Sequence, residues 1–119
     1  MVLVDTSVWV SHFRRKIDRL EYLLSQEFVY CHPLIIGELA CGYLHHREEI
    51  LNLMHELPRA LQATDQEILI YIEKHQLIGK GLGIVDIHLL ASASLSGLFL
   101  WTEDKRMRLA ARRLHLIDD

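Results

Sequence analysis

Cysteine is scarce in this 119-residue chain, which has only Cys31 and Cys41. Two cysteines ten positions apart exclude the disulfide-dense scaffold of a small secreted protein, and they lack the close spacing of a redox pair or a zinc knuckle. We therefore expect two reduced core cysteines in a cytoplasmic protein. Half of the chain is hydrophobic, enough to bury a core without crosslinks, so we expect one domain over residues 1–119.

The chain also lacks an overall positive charge and any long apolar run. A net charge of -3 argues against a protein that binds nucleic acid by being basic throughout, so any such contact must be local. No segment approaches the roughly 20 apolar residues that span a bilayer. The apolar start Val2-Leu3-Val4 is interrupted at Asp5 and does not resemble a signal peptide. We expect no association with a membrane.

Short apolar strands alternate with amphipathic helices along the sequence. The predicted strands are unbroken apolar runs, typical of parallel strands buried on both faces, at 2–4, 28–31 and 98–101, with shorter ones at 60–63 and 116–117. The predicted helices follow Asp5, begin at Asp18, carry Leu34 to Tyr43 after Pro33, and span 47–56, 65–77 with Asp65 as cap, 84–96 and 104–114. This alternation predicts an α/β sandwich with a short, mostly parallel central sheet flanked by helices.

Acidic residues follow two of the predicted strands directly. Asp5 begins the run Asp5-Thr6-Ser7, and Asp104 ends the run Thr102-Glu103-Asp104. In open α/β sheets, ligands bind beyond the carboxyl ends of the strands, so a site is expected here. Taken alone, each aspartate is equally well explained as the cap of the following helix.

Two further carboxylates lie within predicted helices. Helical spacing places Glu38 on the face of Leu34 and Ile35, and Asp86 one turn from Leu89, rather than among solvated charges. Because an unpartnered carboxylate is costly to bury, each would be protonated, pair with a cation or bind a metal. For either residue taken singly, a structural salt bridge stays an open alternative.

Together the four acids favour a site for a hard cation. Mg²⁺ and Mn²⁺ prefer oxygen ligands, and a divalent ion relieves the repulsion among clustered carboxylates. Such an ion can also activate water and stabilise a phosphoryl oxyanion, which suits phosphodiester hydrolysis. Ser7 has no evident base partner, so covalent catalysis is a poor alternative.

The order and spacing of these motifs closely resemble the PIN domain over essentially the whole chain. The motifs are Asp5-Thr6-Ser7, Ile36-Gly37-Glu38-Leu39, the run from Asp86-Ile87-His88 to Ala93, and Thr102-Glu103-Asp104. The short length resembles a VapC-type toxin of a type II toxin-antitoxin system. The resemblance implies a Mg²⁺- or Mn²⁺-dependent endoribonuclease, a cognate antitoxin whose C-terminal segment lies across the active-site groove, and a homodimer that can join a larger toxin-antitoxin assembly.

The resemblance also implies roles for individual residues. Asp5 and Asp86 correspond to the principal metal ligands, Glu38 to a ligand or a partner of metal-bound water, and Asp104 to the fourth acid. Thr102, with Thr6 or Ser7, would give hydrogen-bonding support. The chain departs from the family pattern at Met107, where many relatives have an aromatic residue, and the adjacent Glu103 stays an alternative to Asp104.

Basic residues near both strand-end motifs are candidates for RNA binding or simply for a solvated helix face. They are Arg14, Arg15, Lys105, Arg106, Arg108 and Arg112. The main functional alternative is a non-catalytic binding protein of the same fold, in which the acids are caps and the surface contacts a protein partner. A flap-specific DNA nuclease would share the chemistry but normally requires a longer chain.

Overall fold

The computed structural model describes residues 1–118, which form a three-stranded parallel sheet surrounded by helices. The strands are β1 (Val2–Val4), β2 (Val29–Tyr30) and β3 (Phe99–Trp101), in the spatial order β2-β1-β3. The central strand β1 has Leu3 and Val4 fully buried, as its unbroken apolar sequence predicts. The expected α/β architecture with a parallel sheet is confirmed.

The helices account for most of the chain. They are α1 (Thr6–Arg14), α2 (Asp18–Ser25), α3 (Pro33–Cys41), α4 (Arg47–Glu56), α5 (Asp65–Lys74), α6 (Ile84–Ser96) and α7 (Lys105–Arg113). Helix α6 packs on both β1 and β3, and its Leu89, Leu90 and Ala93 are fully buried. Gly97 ends α6 with φ +66°, a left-handed conformation that glycine adopts without steric cost.

Two short strands predicted from apolar runs are absent from residues 1–118. Residues 60–63 are not a strand, because the chain forms only an isolated parallel bridge centred on Arg59: Cys31 N–H donates to Pro58 O (2.8 Å), and Ala60 N–H donates to Cys31 O (2.9 Å). Residues 116–117 also form no strand, although Leu100 N–H donates to Leu116 O (2.7 Å). This single backbone hydrogen bond to β3 is not enough to define a further strand.

Helix boundaries differ from the prediction at α5 and α3. Thr64, not Asp65, caps α5: its hydroxyl accepts from Glu67 N–H (3.1 Å), and the Glu67 carboxylate accepts from Thr64 N–H (2.9 Å). This reciprocal capping box shifts the start by one residue, and the helix ends at Lys74 rather than near 77. Helix α3 ends at Cys41, so Tyr43 lies beyond it and is fully exposed.

The two cysteines differ in environment. Cys31 is buried, and that burial raises the pKa of its thiol, whereas Cys41 is exposed. The expectation that both are core residues is therefore wrong for Cys41, because the buried stripe of α3 consists of Ile35, Ile36 and Leu39. Within residues 1–118, no helix combines the length and apolarity that crossing a membrane requires.

Candidate active site

Asp5 lies at the carboxyl end of the central strand and is only 7% exposed. Its N–H donates to Trp101 O (2.9 Å), so the pairing of β1 with β3 extends to this residue. Its Oδ1 accepts from Thr6 N–H (2.7 Å), and its Oδ2 accepts from the hydroxyls of Ser7 (2.9 Å) and Thr102 (2.7 Å). These three donors hold the carboxylate in one orientation and compensate for its burial.

The hydroxyls of Ser7 and Thr102 also connect the first helix to the turn after β3. Glu103 N–H donates to Ser7 Oγ (3.0 Å), and Asp104 N–H donates to Thr102 Oγ1 (3.1 Å). Thr102 is 2% exposed, so its hydroxyl is a fixed part of the interior. The two residues therefore position Asp5 and the start of α7 relative to each other.

Glu38 reaches the same edge of the sheet from α3. Its Oε1 accepts from Thr6 Oγ1 at 2.6 Å, which links α3 to the beginning of α1. The prediction that Glu38 lies on the apolar face is wrong, because its side chain is exposed. The buried stripe of α3 is Ile35, Ile36 and Leu39, and Glu38 lies beside this stripe on the solvent-exposed side of the helix.

Asp86 is half-buried in the first turn of α6. Its Oδ2 accepts from Gly83 N–H (3.0 Å), so capping accounts for part of its placement, in addition to the alternatives that the sequence left open. Burial raises the pKa of the Asp86 carboxyl, the hydrogen bond from Gly83 opposes that rise, and the charges of Asp5 and Asp104 add to it. The charges of two acids from other elements thus act on Asp86.

The two neighbouring acids after β3, Asp104 and Glu103, form hydrogen bonds with different partners. Asp104 caps α7 through its Oδ1, which accepts from Met107 N–H (2.9 Å), while its charge contributes to the raised pKa of Asp86. Glu103 instead accepts a hydrogen bond from the Ser11 hydroxyl on α1. The side chain of Met107 is fully buried, so this departure from the family pattern is a core position.

The carboxylate oxygens of this cluster are the type of ligand that a hard divalent cation prefers. Glu38, Asp86 and Asp104 each use one carboxylate oxygen in a hydrogen bond, and the other takes none among residues 1–118. Within that range, no three acidic, histidine or cysteine side chains lie close enough to share an ion as they stand. Mg²⁺ keeps several waters and is usually bound by only one or two carboxylates, so these oxygens are compatible with it.

The basic candidates are distributed unevenly around this cluster. Arg108 Nη2 donates to Thr102 O (3.0 Å), and exposed Lys105 opens α7 directly after Asp104. Arg106 packs against the backbone of Gly81, and Arg112 lies further along α7. The remaining two, Arg14 and Arg15, are exposed at the C-terminal end of α1. Asp5 caps the other end of this helix, about 14 Å away along the helix axis.

Sequence reasoning missed two residues that position the acids, Gly83 and Ser11. Gly83 donates its N–H to Asp86 and Ser11 its hydroxyl to Glu103. The first contact has a sequence signal, because an acidic residue three positions after a helix start is the spacing of a capping box. The second joins residues 92 positions apart and has no local signal.

His32, two residues after β2, is also a buried polar residue that the sequence did not indicate. It is 1% exposed, and its Nδ1 accepts from Leu34 N–H (3.0 Å) at the start of α3. Burial, together with the charges of His88 and Arg59, lowers the pKa of His32 to about 4. His32 is therefore neutral at pH 7 and serves as a helix cap.

Comparison with known proteins agrees with the resemblance read from the motifs. The family model for the PIN domain matches residues 2–113. Two relatives, each called Ribonuclease VapC32, come from Mycobacterium tuberculosis strains CDC 1551 / Oshkosh and ATCC 25618 / H37Rv. Each is 44% identical over 111 residues, which cover 92% of this chain and 90% of the relative. The chain therefore belongs to the PIN domain family, among its VapC-type members.

Proposed function

We propose that this chain is a Mg²⁺- or Mn²⁺-dependent endoribonuclease and the toxin of a toxin-antitoxin pair. The observation that carries the proposal is Asp86, half-buried and subject to the charges of Asp5 and Asp104. An arrangement that concentrates negative charge from three elements costs stability unless a cation compensates it. The similarity to proteins called Ribonuclease VapC32 supports RNA as the substrate.

In this proposal, the acids hold the cation and orient the reaction. Asp5 and Asp86 are the principal ligands, Glu38 is a further ligand or orients water, and Asp104 completes the negative site. A divalent cation bound there supplies a Lewis acid that offsets charge on the phosphate and makes water a better nucleophile. Thr6, Ser7 and Thr102 keep the carboxylates oriented, as their hydrogen bonds to Asp5 and Glu38 suggest.

The proposed partners follow from the family. A cognate antitoxin would block the acidic cluster, and the chain would act in the cytoplasm as a homodimer, alone or in a larger toxin-antitoxin assembly. Residues 1–119 would form a single domain. Basic side chains beside the cluster, with Lys105, Arg106 and Arg108 on α7 nearest to it, would bind RNA phosphates, since the net charge of -3 leaves only local attraction.

The alternative is a non-catalytic protein of this fold that acts through a protein partner. One specific observation favours it: Asp5, Asp86 and Asp104 each accept a backbone N–H at a helix start, as structural caps do. The exposed oxygen of Glu38 and the raised pKa of Asp86 are not needed for capping, and we therefore favour the enzyme.

Cleavage of total cellular RNA by purified, antitoxin-free protein tests the proposal. We expect cleavage with Mg²⁺ or Mn²⁺, none in EDTA, and a loss of about 100-fold or more for Asp5→Asn, equivalent to about 3 kcal/mol of transition-state stabilisation. Asp65→Asn, at an exposed position in the first turn of α5, is the matched control and should cleave normally. Failure of the wild type to cleave any RNA would support the binding-protein alternative.

A further inference from the structure

An open groove of about 350 Å³ runs along β3, outside the acidic cluster. We call it the β3 groove. Its walls combine aromatic side chains from β3 and the segment before β2 with arginines from α2 and α7, chiefly Phe28, Phe99, Trp101, Arg19, Arg108 and Arg112. Its volume is in the range of sites that hold a small organic group such as a nucleotide.

The aromatic side chains of the β3 groove are accessible to a ligand. Phe28 is 37% exposed and Phe99 is 41% exposed, and Trp101 is half-buried. The guanidinium of Arg19 lies 5.7 Å from the centre of the Trp101 ring, which keeps a flat cation beside a flat aromatic face. Bases of single-stranded nucleic acids stack on such aromatic and guanidinium planes.

The charge of the groove is opposite to that of the whole chain. Three arginines line it, while Asp118 is the only acidic residue in its wall within residues 1–118. The chain as a whole carries a net charge of -3, so this local excess of positive charge is not a general property of the surface. A ligand with regularly spaced negative charges and flat apolar groups is complementary to this wall.

Thr102 lies between the groove and the acidic cluster. This residue lines the groove, and its hydroxyl donates to Asp5 Oδ2 at 2.7 Å. Arg108 donates to the carbonyl of Thr102, so a basic side chain lies between the groove and the acidic cluster. Because Thr102 itself is only 2% exposed, a strand that leaves the cluster would reach the groove past Arg108, which is exposed.

We propose that the β3 groove binds the single-stranded RNA that flanks the cleaved bond, with bases against the aromatic side chains and phosphates near the arginines. The inference rests on the proposed function, because it takes RNA as the substrate. An acidic peptide would also satisfy the arginines, but RNA offers a flat base to the Arg19–Trp101 pair and to the exposed phenylalanine faces at every nucleotide, which favours RNA.

Binding of a fluorescein-labelled uridine octanucleotide in EDTA tests this independently of cleavage. We expect Phe99→Ala and Arg19→Gln each to raise Kd at least about fivefold, the lower end of the 1–3 kcal/mol that stacking contributes per base. Arg19→Gln should also reduce the salt dependence of log K by about 0.7, the value for one phosphate of a single strand. The matched controls Tyr43→Ala and Lys74→Gln, both exposed outside the groove, should stay within about twofold of the wild type.

Tryptophan fluorescence provides a second readout at the site itself. Trp9 is 3% exposed, so the octanucleotide should quench Trp101, and Trp101→Phe should abolish the quenching while it keeps a stacking surface. Unchanged affinity in both Phe99→Ala and Arg19→Gln, each checked by circular dichroism, would overturn the proposal. Quenching by a tryptophan-free acidic peptide but not by RNA would overturn it in favour of a protein partner.

The outcomes separate this inference from the proposed function. If RNA is cleaved and both groove variants bind normally, the groove proposal fails and the ribonuclease stands. If the octanucleotide binds in the groove but no RNA is cleaved with Mg²⁺ or Mn²⁺, the groove proposal stands and the catalytic one fails.

Discussion

Asp86 is the residue at which the structural and the proposed chemical roles compete most clearly. Its carboxylate accepts the N–H of Gly83, which an uncharged asparagine oxygen can also do. Its negative charge, however, is opposed by burial and by Asp5 and Asp104, all of which raise its pKa. The charge is therefore unfavourable to the folded chain without a cation, and we attribute its presence to cation binding.

We expect Asp86→Asn to stabilise the metal-free protein and to remove its response to Mg²⁺. Because the folded pKa is raised, the wild type in EDTA should lose stability relative to the variant as pH rises above the ordinary range of an aspartate. With Mg²⁺ at 100 times its Kd, binding stabilises the native state by about 2.7 kcal/mol, which only the wild type should show. Thermal unfolding measures both effects. Equal Mg²⁺ shifts in the two proteins would count against Asp86 as a ligand.

His32 predicts a pH dependence of the opposite sign. Its pKa is about 4 in the folded chain and 6.5 in the unfolded chain, so the unfolded state binds more protons between these values. Stability should fall by about 3 kcal/mol as pH drops from 7 to 4, at 1.36 kcal/mol per pKa unit. His32→Asn keeps an acceptor for Leu34 N–H and should lack this decline in urea unfolding, apart from that of other groups. If the stability of both proteins has the same pH dependence, His32 does not cause the decline.

At the scale of helices and loops, the turn before α6 is coupled to α7. Gly81 has φ +74°, and a Cβ there would lie 2.8 Å from Arg106 Nη1 and 2.9 Å from its Cδ. The glycine thus leaves room for the Arg106 side chain beside the helix that follows Asp104. Gly79 has a similar φ of +70°, but a Cβ there would have no neighbouring atom within 4 Å, which makes the two glycines a matched pair.

Alanine at either glycine should cost similar stability, about 1–2 kcal/mol for a left-handed conformation. Only Gly81→Ala should also displace Arg106, weaken binding of RNA and reduce the salt dependence by about one phosphate contact. Filter binding at several salt concentrations measures the difference. Equal RNA affinities for Gly79→Ala and Gly81→Ala would show that the position of Arg106 does not matter.

The element scale also shows what a single sequence predicts. Residues 2–4 and 84–96 have unbroken or alanine-rich apolar patterns, and the structure has β1 and α6 at those residues. The predicted strand at 60–63 fails, because an apolar run does not reveal which backbone groups meet Cys31. The cap of α5 was misplaced by one residue, because Thr64 and Asp65 are both good caps and the reciprocal bonds with Glu67 decide between them.

For the candidate site, the motifs predicted which acids to consider but not how they are arranged. That Asp5 and Asp104 follow strands is a local property, and the sequence predicts it. The exposure of Glu38 and the contact of Glu103 with Ser11 depend on how α1, α3 and α7 pack, which helical periodicity cannot show. Tertiary packing, rather than propensity, therefore determines the parts that were wrong or missed.

For the whole molecule, the proposed homodimer needs an apolar surface that the monomer leaves exposed. Helices α5 and α6 provide one, where Ile70 is 58% exposed and Leu95 is 47% exposed beside a shared groove. Neither side chain contributes to the buried core. Exposed apolar patches often mark such interfaces, so we expect the proposed homodimer to form through this face.

Ile70→Arg should convert the proposed dimer to a monomer at micromolar concentration in sedimentation velocity experiments. Burying an unpaired charge at an interface costs several kcal/mol, so Kd should rise by roughly 100-fold or more. Leu53→Arg places the same charge on α4 at a residue that is also 58% exposed, and it should leave association unchanged. A dimer that persists in Ile70→Arg would place the interface elsewhere.

The central claim is that the acidic cluster at the carboxyl end of the sheet cleaves RNA with a divalent cation. The most direct test compares cleavage of total RNA by the wild type and by Asp86→Asn at the same Mg²⁺ concentration, once unfolding experiments show that both are folded. We predict a rate at least about 100-fold lower for the variant, a loss of about 3 kcal/mol. Equal rates for the two proteins would contradict the claim.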